Sequence, residues 1–362
     1  MKLYGNLLRV IYALNRYPNK SGSELCEITG LKSSTFTTIK TRCQDMGFIS
    51  LVRIPNPNVI GMKIRFIEYG MLKKGLSIDD AYKLVRENAM KHGIVFSFIS
   101  DGLSYYIQSL TPSYTAMKSF LEGLSIGRCR LKFGCRGNSV WHAFELGSDK
   151  LKNLYDQSKL LEEYAGLELD FKIPEEITPT EREGITSMWI SDSIRRIVMY
   201  LIELPPRKDN EIASALGISR QIVGRVRLEL ERNGQLIKAY TINTKLLGYN
   251  IRSFFTITHS SDCSEPNSRE LNSFLSKKRP QYWLTNGHFS TFQYDFLDTS
   301  SLKQFINELH LRGAGAVEKI ESISLSLKSA IEIVQETPVR LSNDPSHPGV
   351  KIVNHFPGPV IG

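Results

Sequence analysis

The feature that most constrains the fold is an internal repeat at an offset of 187 residues. Aligning residues 24–66 with 211–253 without a gap gives seven identities: Glu24/Glu211, Gly30/Gly217, Gly47/Gly234, Asn56/Asn243, Gly61/Gly248, Ile64/Ile251 and Arg65/Arg252. Four of these pairs are glycine or asparagine, which mark turns rather than general composition. The match therefore predicts two copies of one folding unit within the chain.

Each copy opens with three predicted helices. Apolar residues recur at helical spacing in 5–16 and again in 192–204, which predicts the first helix of each copy. Short second helices are predicted at 23–29 and 210–216, and Ser21 with Glu24 stands at capping-box spacing. Two short helices joined by a glycine turn indicate a helix-turn-helix. The alternating segments 48–54 and 235–242 then predict a small β-wing in each copy.

The third helix of each copy is the candidate for entry into the DNA major groove. It is expected to start after an N-cap serine, Ser33 or Ser219, and to end at Gly47 or Gly234. Arg and Gln read guanine and adenine through paired hydrogen bonds, whereas hydroxyls suit phosphates or any base. The candidate residues of the second copy are Ser219, Arg220, Gln221, Gly224, Arg225 and Arg227, and those of the first are Lys32, Ser33, Ser34, Thr37, Thr38 and Lys40. An exposed, merely solvated helix face remains the alternative.

The second half of each copy predicts the order βαββαβ, a ferredoxin-like unit. In the first copy the six elements are expected at 64–69, 78–88, 94–100, 103–108, 114–124 and 128–133. In the second copy they are expected at 252–259, 267–278, 282–284, 290–296, 301–311 and 317–327. The predicted fold class is therefore α+β, with two winged helix-turn-helix domains each followed by a ferredoxin-like domain.

Positive charge is concentrated where the helices are predicted. The chain has a net charge of +9, yet residues 1–66 carry ten Lys and Arg against three Asp and Glu, and residues 188–255 carry eleven against six. Between them, residues 148–187 carry five basic and ten acidic side chains. Localised basic charge is typical of a surface that neutralises phosphates.

The acidic stretch separates the two copies. Its leucines predict a helix over 148–164, and Pro174 and Pro179 predict an extended, solvated linker after it. The prolines of residues 343–362 predict a loosely packed extension. The predicted domains are 1–60 (winged helix-turn-helix), 61–147 (ferredoxin-like), 148–187 (linker), 188–247 (winged helix-turn-helix), 248–336 (ferredoxin-like) and 337–362 (C-terminal extension).

The second copy resembles the Lrp/AsnC group of prokaryotic transcriptional regulators. The run Asn243-Thr-Lys-Leu-Leu-Gly248-Tyr-Asn and the helix-turn-helix before it carry the resemblance, together with Phe292–Phe296, the helix from Ser301 and the strand from Val317. It covers residues 190–335 well and 5–135 more faintly. It implies binding to double-stranded DNA, a small-molecule effector such as an amino acid, and self-association through the ferredoxin-like domains.

Two other function classes use similar surfaces. Siroheme decarboxylases resemble the Lrp/AsnC group, but the nearest segment here, Tyr282 to His288, lacks their His-Asn-Tyr order and the Arg that follows it. His288 is therefore interpreted as a hairpin residue and the chain as a regulator, not an enzyme. The hydroxyl-rich third helix of the first copy would also suit an architectural DNA-binding protein of low sequence preference.

Composition bounds the remaining possibilities. The five cysteines include no C-x-x-C pair and no Cys/His cluster at zinc spacing, so the sequence predicts no metal site and no cofactor. Cys129 and Cys135 fall on a predicted strand-like run, 128–136. No segment is long and apolar enough for a membrane span, which predicts a cytoplasmic protein without a membrane partner.

Overall fold

The computed structural model describes residues 5–72, 75–92, 94–131, 134–145, 150–165, 191–203, 208–260, 265–286 and 288–336. The helices are α1 (Asn6–Arg16), α2 (Gly22–Thr29), α3 (Ser33–Asp45), α4 (Ile78–His92), α5 (Tyr114–Leu131), α6 (Ser158–Ala165), α7 (Asp192–Glu203), α8 (Asp209–Leu216), α9 (Arg220–Arg232), α10 (Glu265–Lys278) and α11 (Thr299–Arg312). The strands are β1 (Ile49–Pro55), β2 (Ile64–Leu72), β3 (Ile94–Ser100), β4 (Ser104–Thr111), β5 (Gly134–Glu145), β6 (Lys150–Leu154), β7 (Leu236–Ile242), β8 (Ile251–His259), β9 (Tyr282–Thr285), β10 (Phe289–Phe296), β11 (Val317–Ser326) and β12 (Ile331–Glu336). The predicted linker around Pro174 and Pro179 and the C-terminal extension lie outside the described residues.

The described chain is a mixed α+β fold with antiparallel sheets, as the sequence predicts. It divides into two compact units. Unit 1 holds the described residues within 1–51, 149–183 and 238–328, and unit 2 holds those within 52–148, 184–237 and 329–362. Each unit therefore combines the three helices of one copy with the sheet of the other copy.

The sheet of unit 1 has the strand order β11-β8-β10-β9-β6. Its first four strands alternate with α10 and α11 in the predicted order βαββαβ. The core lies between this sheet and the helices, where the Phe255 ring stacks on Phe292 at 4.9 Å and lies 5.4 Å from Phe305. All three rings are buried, so apolar burial holds α11 on the sheet.

The sheet of unit 2 has the matching order β12-β3-β4-β2-β5. Here α4 and α5 cover one face, and Phe66 meets Phe120 edge to face at 5.1 Å. Both side chains belong to one apolar cluster that also contains Phe98 and Leu124. The same pattern of elements therefore recurs in the second sheet.

Glycine and serine signals fix the helix ends in both copies. Gly30 and Gly217 close α2 and α8 with φ of 68° and 65°, a conformation that side chains disfavour. The capping box of Ser21 and Glu24 is present. Ser219 caps α9 by accepting from the Ile222 N–H, but α3 begins at Ser33 itself and Lys32 occupies the N-cap position. The prediction of Ser33 as an N-cap is therefore wrong.

Each copy contributes one strand rather than a complete wing. Strands β1 and β7 form a two-stranded sheet. In unit 1 the Asn243 N–H donates to the Phe48 carbonyl at 2.9 Å, and in unit 2 the Asn56 N–H donates to the Gln235 carbonyl at 2.7 Å. A 3-10 turn follows the strand in each copy, Pro57–Ile60 after β1 and Thr244–Leu247 after β7, so neither strand is followed directly by a return strand.

Two predicted segments differ from the structure. Residues 148–164 contain β6 and α6 instead of one helix, and the backbone of β6 pairs with β9. The predicted strand 128–133 is wrong because α5 continues to Leu131, which places Cys129 in a helix and Cys135 in β5. Strand β12 was not predicted.

Within the described ranges, the helices do not reach the combination of length and hydrophobicity that a bilayer crossing requires.

Candidate nucleic-acid interface

The exposed side of α9 forms a shallow groove with the start of α8. Its lining contains every residue that the sequence analysis singled out in the second copy: Ser219, Arg220, Gln221, Gly224, Arg225 and Arg227. Five further residues line it: Asp209, Leu228, Glu229, Arg232 and Asn233. Four arginines thus face two acidic side chains, so the groove is positively charged.

The arginines of this groove are not equivalent. Arg220 and Arg225 are exposed, as is Gln221. The Arg227 guanidinium instead pairs with the Asp209 carboxylate through Nε to Oδ1 at 3.0 Å and Nη2 to Oδ2 at 2.9 Å. Its Nη1 donates to Glu231 at 3.2 Å. Arg227 therefore ties α9 to α8, while Arg220, Gln221 and Arg225 present their polar groups to solvent.

The same ion pair explains why position 224 is a glycine. A Cβ atom built at this position would lie 3.3 Å from Asp209 Oδ2, closer than an ordinary van der Waals contact. Because glycine has no side chain, it leaves the α9 backbone open to close approach here. What approaches the α9 backbone within the protein is the Asp209 carboxylate.

The hydrogen bond from Arg227 lowers the pKa of Asp209, and burial opposes this effect. A carboxyl with a lowered folded-state pKa stabilises the fold above its unfolded-state value of about 3.9, and this contribution is lost as the pH falls through the folded-state value. The tie between α8 and α9 is therefore complete at neutral pH.

We expect Asp209→Asn to lower the free energy of unfolding by about 1–2 kcal/mol at pH 7, because a charge-assisted pair becomes a neutral contact. Urea unfolding curves measure this. The deficit should persist from pH 8 to about pH 5 and shrink below about 3.9. Glu229→Gln, an exposed acidic side chain of the same groove, is the control and should change stability by less than about 0.5 kcal/mol. Equal effects of the two variants would contradict the tie.

The third helix of the first copy presents a different surface. Ser33, Ser34, Thr37 and Thr38 are exposed on α3, as is Lys32 before it. The Thr38 hydroxyl donates to the Ser34 carbonyl at 2.9 Å. Lys40 is partly buried, with its ammonium 5.6 Å from the centre of the Tyr240 ring in unit 1. The exposed face of α3 is therefore mainly hydroxyl.

Helical spacing could have identified two residues that the sequence analysis missed. Gln221, Arg225, Leu228 and Arg232 follow one another at intervals of four, three and four, which places them on one stripe of the helix. The offset of 187 places Ser34, Thr38, Thr41 and Asp45 on the corresponding stripe of α3. The stripe of α9 carries two positive charges, whereas that of α3 ends in a negative one.

His288 lies in the predicted hairpin. It is exposed between β9 and β10, and its backbone N–H donates to Asn286 Oδ1 at 2.9 Å. This is the geometry of a hairpin residue.

Comparisons with known proteins give structural matches at low sequence identity. A solved structure of the siroheme decarboxylase NirDL covers 89% of this chain and 91% of its own, with 11% identity and a TM-score of 0.47. An AsnC family transcriptional regulator from Agrobacterium tumefaciens covers 37% of this chain and 89% of its own, with 13% identity and a TM-score of 0.30. AsnC of E. coli covers 38% and 93%, with 18% identity and a TM-score of 0.30. Neither a protein-family model nor a curated protein matches the sequence.

The prediction that the chain is not an enzyme is contradicted by these comparisons, because the structure that matches 89% of it belongs to an enzyme. That prediction depended on the absence of one motif from one segment, and a fold can carry several chemistries in different sites. It is withdrawn.

Proposed function

We propose that this chain is a sequence-specific DNA-binding transcriptional regulator in which α9 enters the major groove. The observation that carries the proposal is the α9 groove, where Arg220, Gln221 and Arg225 are exposed while Arg227 is held by Asp209. Exposed Arg and Gln side chains on one helix face are the groups that pair with guanine and adenine edges. The proposal concerns this face, and it is compatible with catalysis elsewhere in the chain.

Helices α9 and α3 would make different kinds of contact with DNA. Arg225 and Gln221 on α9 would choose the sequence, and Lys32 with the hydroxyls of α3 would contact phosphates. The charge excess in 1–66 and 188–255 supports this division, because both helices lie in the basic parts of the chain. Lys40 and Arg227 would act through the packing of their helices, since each is engaged within the protein.

The same proposal assigns domains to both copies. Residues 1–60 and 188–247 would form winged helix-turn-helix domains, with β1 and β7 as a shared wing. Residues 61–147 and 248–336 would form ferredoxin-like domains, which the orders β11-β8-β10-β9 and β5-β2-β4-β3 support. These domains would bind a small effector such as an amino acid and mediate self-association.

The test is a titration of the full chain against a duplex enriched from a random pool and against unselected DNA, at two salt concentrations. We expect Arg225→Ala to weaken binding to the enriched site by about 1–3 kcal/mol and to relax the preference for one base pair. Leu311→Ala removes an exposed side chain of α11 outside the groove and should cost less than about 0.5 kcal/mol in binding. Equal losses on both duplexes would reject base reading by Arg225, and failure to enrich any sequence would reject the proposed function.

A further inference from the structure

The stripe of α9 contains one large apolar side chain among charged and polar ones. Leu228 is 47% exposed and lines the same groove as Gln221, Arg225 and Arg232. The buried side of the helix is formed by Val223, Val226 and Leu230, so Leu228 does not belong to the core. An isolated exposed leucine needs no explanation by itself. Leu228 does need an explanation, because it lies on a stripe that lines a positively charged groove.

The surroundings of Leu228 identify the chemistry that would cover it. Arg225 precedes it by three residues and Arg232 follows it by four, so a ligand of Leu228 lies between two cations. A buried apolar protein partner would have to desolvate both guanidinium groups, which is costly. The DNA major groove instead offers phosphates on its rims, guanine acceptors on its floor and one apolar group, the thymine methyl.

We infer that Leu228 is a specificity-determining residue that packs against a thymine methyl group in the preferred DNA site. The inference rests on the proposed function and adds one base to what α9 reads. The corresponding residue of α3 is Thr41, on the stripe that carries Ser34 and Asp45 instead of Gln221 and Arg232. The apolar contact therefore belongs to the second copy.

The experiment uses the full chain and the duplex enriched from a random pool. Each thymine of the enriched site is replaced in turn by uracil, which deletes the methyl group and keeps the base pairing. Wild-type protein should bind about fourfold more weakly at one uracil position, the factor expected for one buried methyl group worth about 0.8 kcal/mol. Leu228→Ala should bind the thymine and uracil duplexes equally.

Leu311→Ala is the matched control, because it removes an exposed leucine (71% exposed) from α11 and should keep the fourfold discrimination. Alanine favours helix, so Leu228→Ala is expected to remain folded. If wild-type protein binds all uracil duplexes as tightly as the thymine duplex, or if Leu228→Ala still discriminates, the inference is overturned while the proposed function stands. An enriched site without thymine also overturns it. If no sequence is enriched, the proposed function fails, and the inference fails with it.

Discussion

Asp295→Ala should destabilise unit 1 by about 3–5 kcal/mol, because it leaves the buried Arg252 guanidinium without its counter-charge. The two side chains are 0% and 5% exposed, and they pair through Nε to Oδ1 at 2.7 Å and Nη2 to Oδ2 at 2.9 Å. The Thr244 hydroxyl also donates to the Asp295 carboxylate, so the residue joins β8 and β10 to the 3-10 turn before them. Chemical denaturation of the full chain measures the loss.

The double variant Arg252→Met with Asp295→Leu distinguishes the effect of an unpaired buried charge from the effect of lost side-chain packing. Removing both charges together avoids an unpaired buried ion, so the double variant should be clearly more stable than Asp295→Ala. Leucine fits this strand position, because Leu110 of the first copy pairs with Arg65 across the sheet as Asp295 pairs with Arg252. A double variant as unstable as Asp295→Ala would show that side-chain packing, and not the unpaired charge, causes the loss.

Local signals in the sequence predicted the three helices that open each copy well. Gly30 and Gly217 end α2 and α8 because a left-handed residue is needed there, and this requirement is visible in the sequence without any tertiary contact. The same holds for the capping box of Ser21 and Glu24. These elements were predicted to within one or two residues.

The strands that extend each sheet at its edge, β6 and β12, were not predicted. The segment 150–154 becomes a strand because the edge of β9 offers unpaired backbone groups, and its own leucine spacing fits a helix as well. Strand β12 pairs with β3 in the same way at the edge of the other sheet. The local residue pattern of a segment does not show whether it will pair at a sheet edge, because the neighbouring strand supplies half of the hydrogen bonds.

The candidate site also combines features that the local sequence predicts with features that depend on distant contacts. Spacing and residue type placed Arg220, Gln221 and Arg225 on the exposed face of α9, and the structure keeps them there. Arg227 has the same residue type, but its role depends on Asp209, eighteen residues earlier and on another helix. Residue type alone therefore cannot distinguish an exposed arginine from one that holds two helices together.

Leu161→Ala tests whether residues 158–165 belong to a folded unit or only to a linker helix between the two copies. Leu161 is fully buried and lies on α6, which packs against α1 in unit 1. Polar contacts hold the same helix: the Tyr249 hydroxyl donates to the Leu160 carbonyl at 2.8 Å, and the Tyr12 hydroxyl donates to Glu162 at 3.1 Å. Deleting the buried side chain should therefore cost about 2–5 kcal/mol in the free energy of unfolding.

The matched comparison is Leu311→Ala, an exposed leucine of another helix in unit 1, which should cost less than about 0.5 kcal/mol. Because α6 joins α1 to the sheet, Leu161→Ala should also make α3 exchange its amide protons faster in native-state hydrogen exchange, while α9 in unit 2 keeps its protection. A linker helix that packs on neither unit predicts neither effect. Equal stability of the two variants would therefore contradict a structural role for residues 158–165. Faster exchange in α3, with α9 unchanged, would show that α6 stabilises the helices of the first copy.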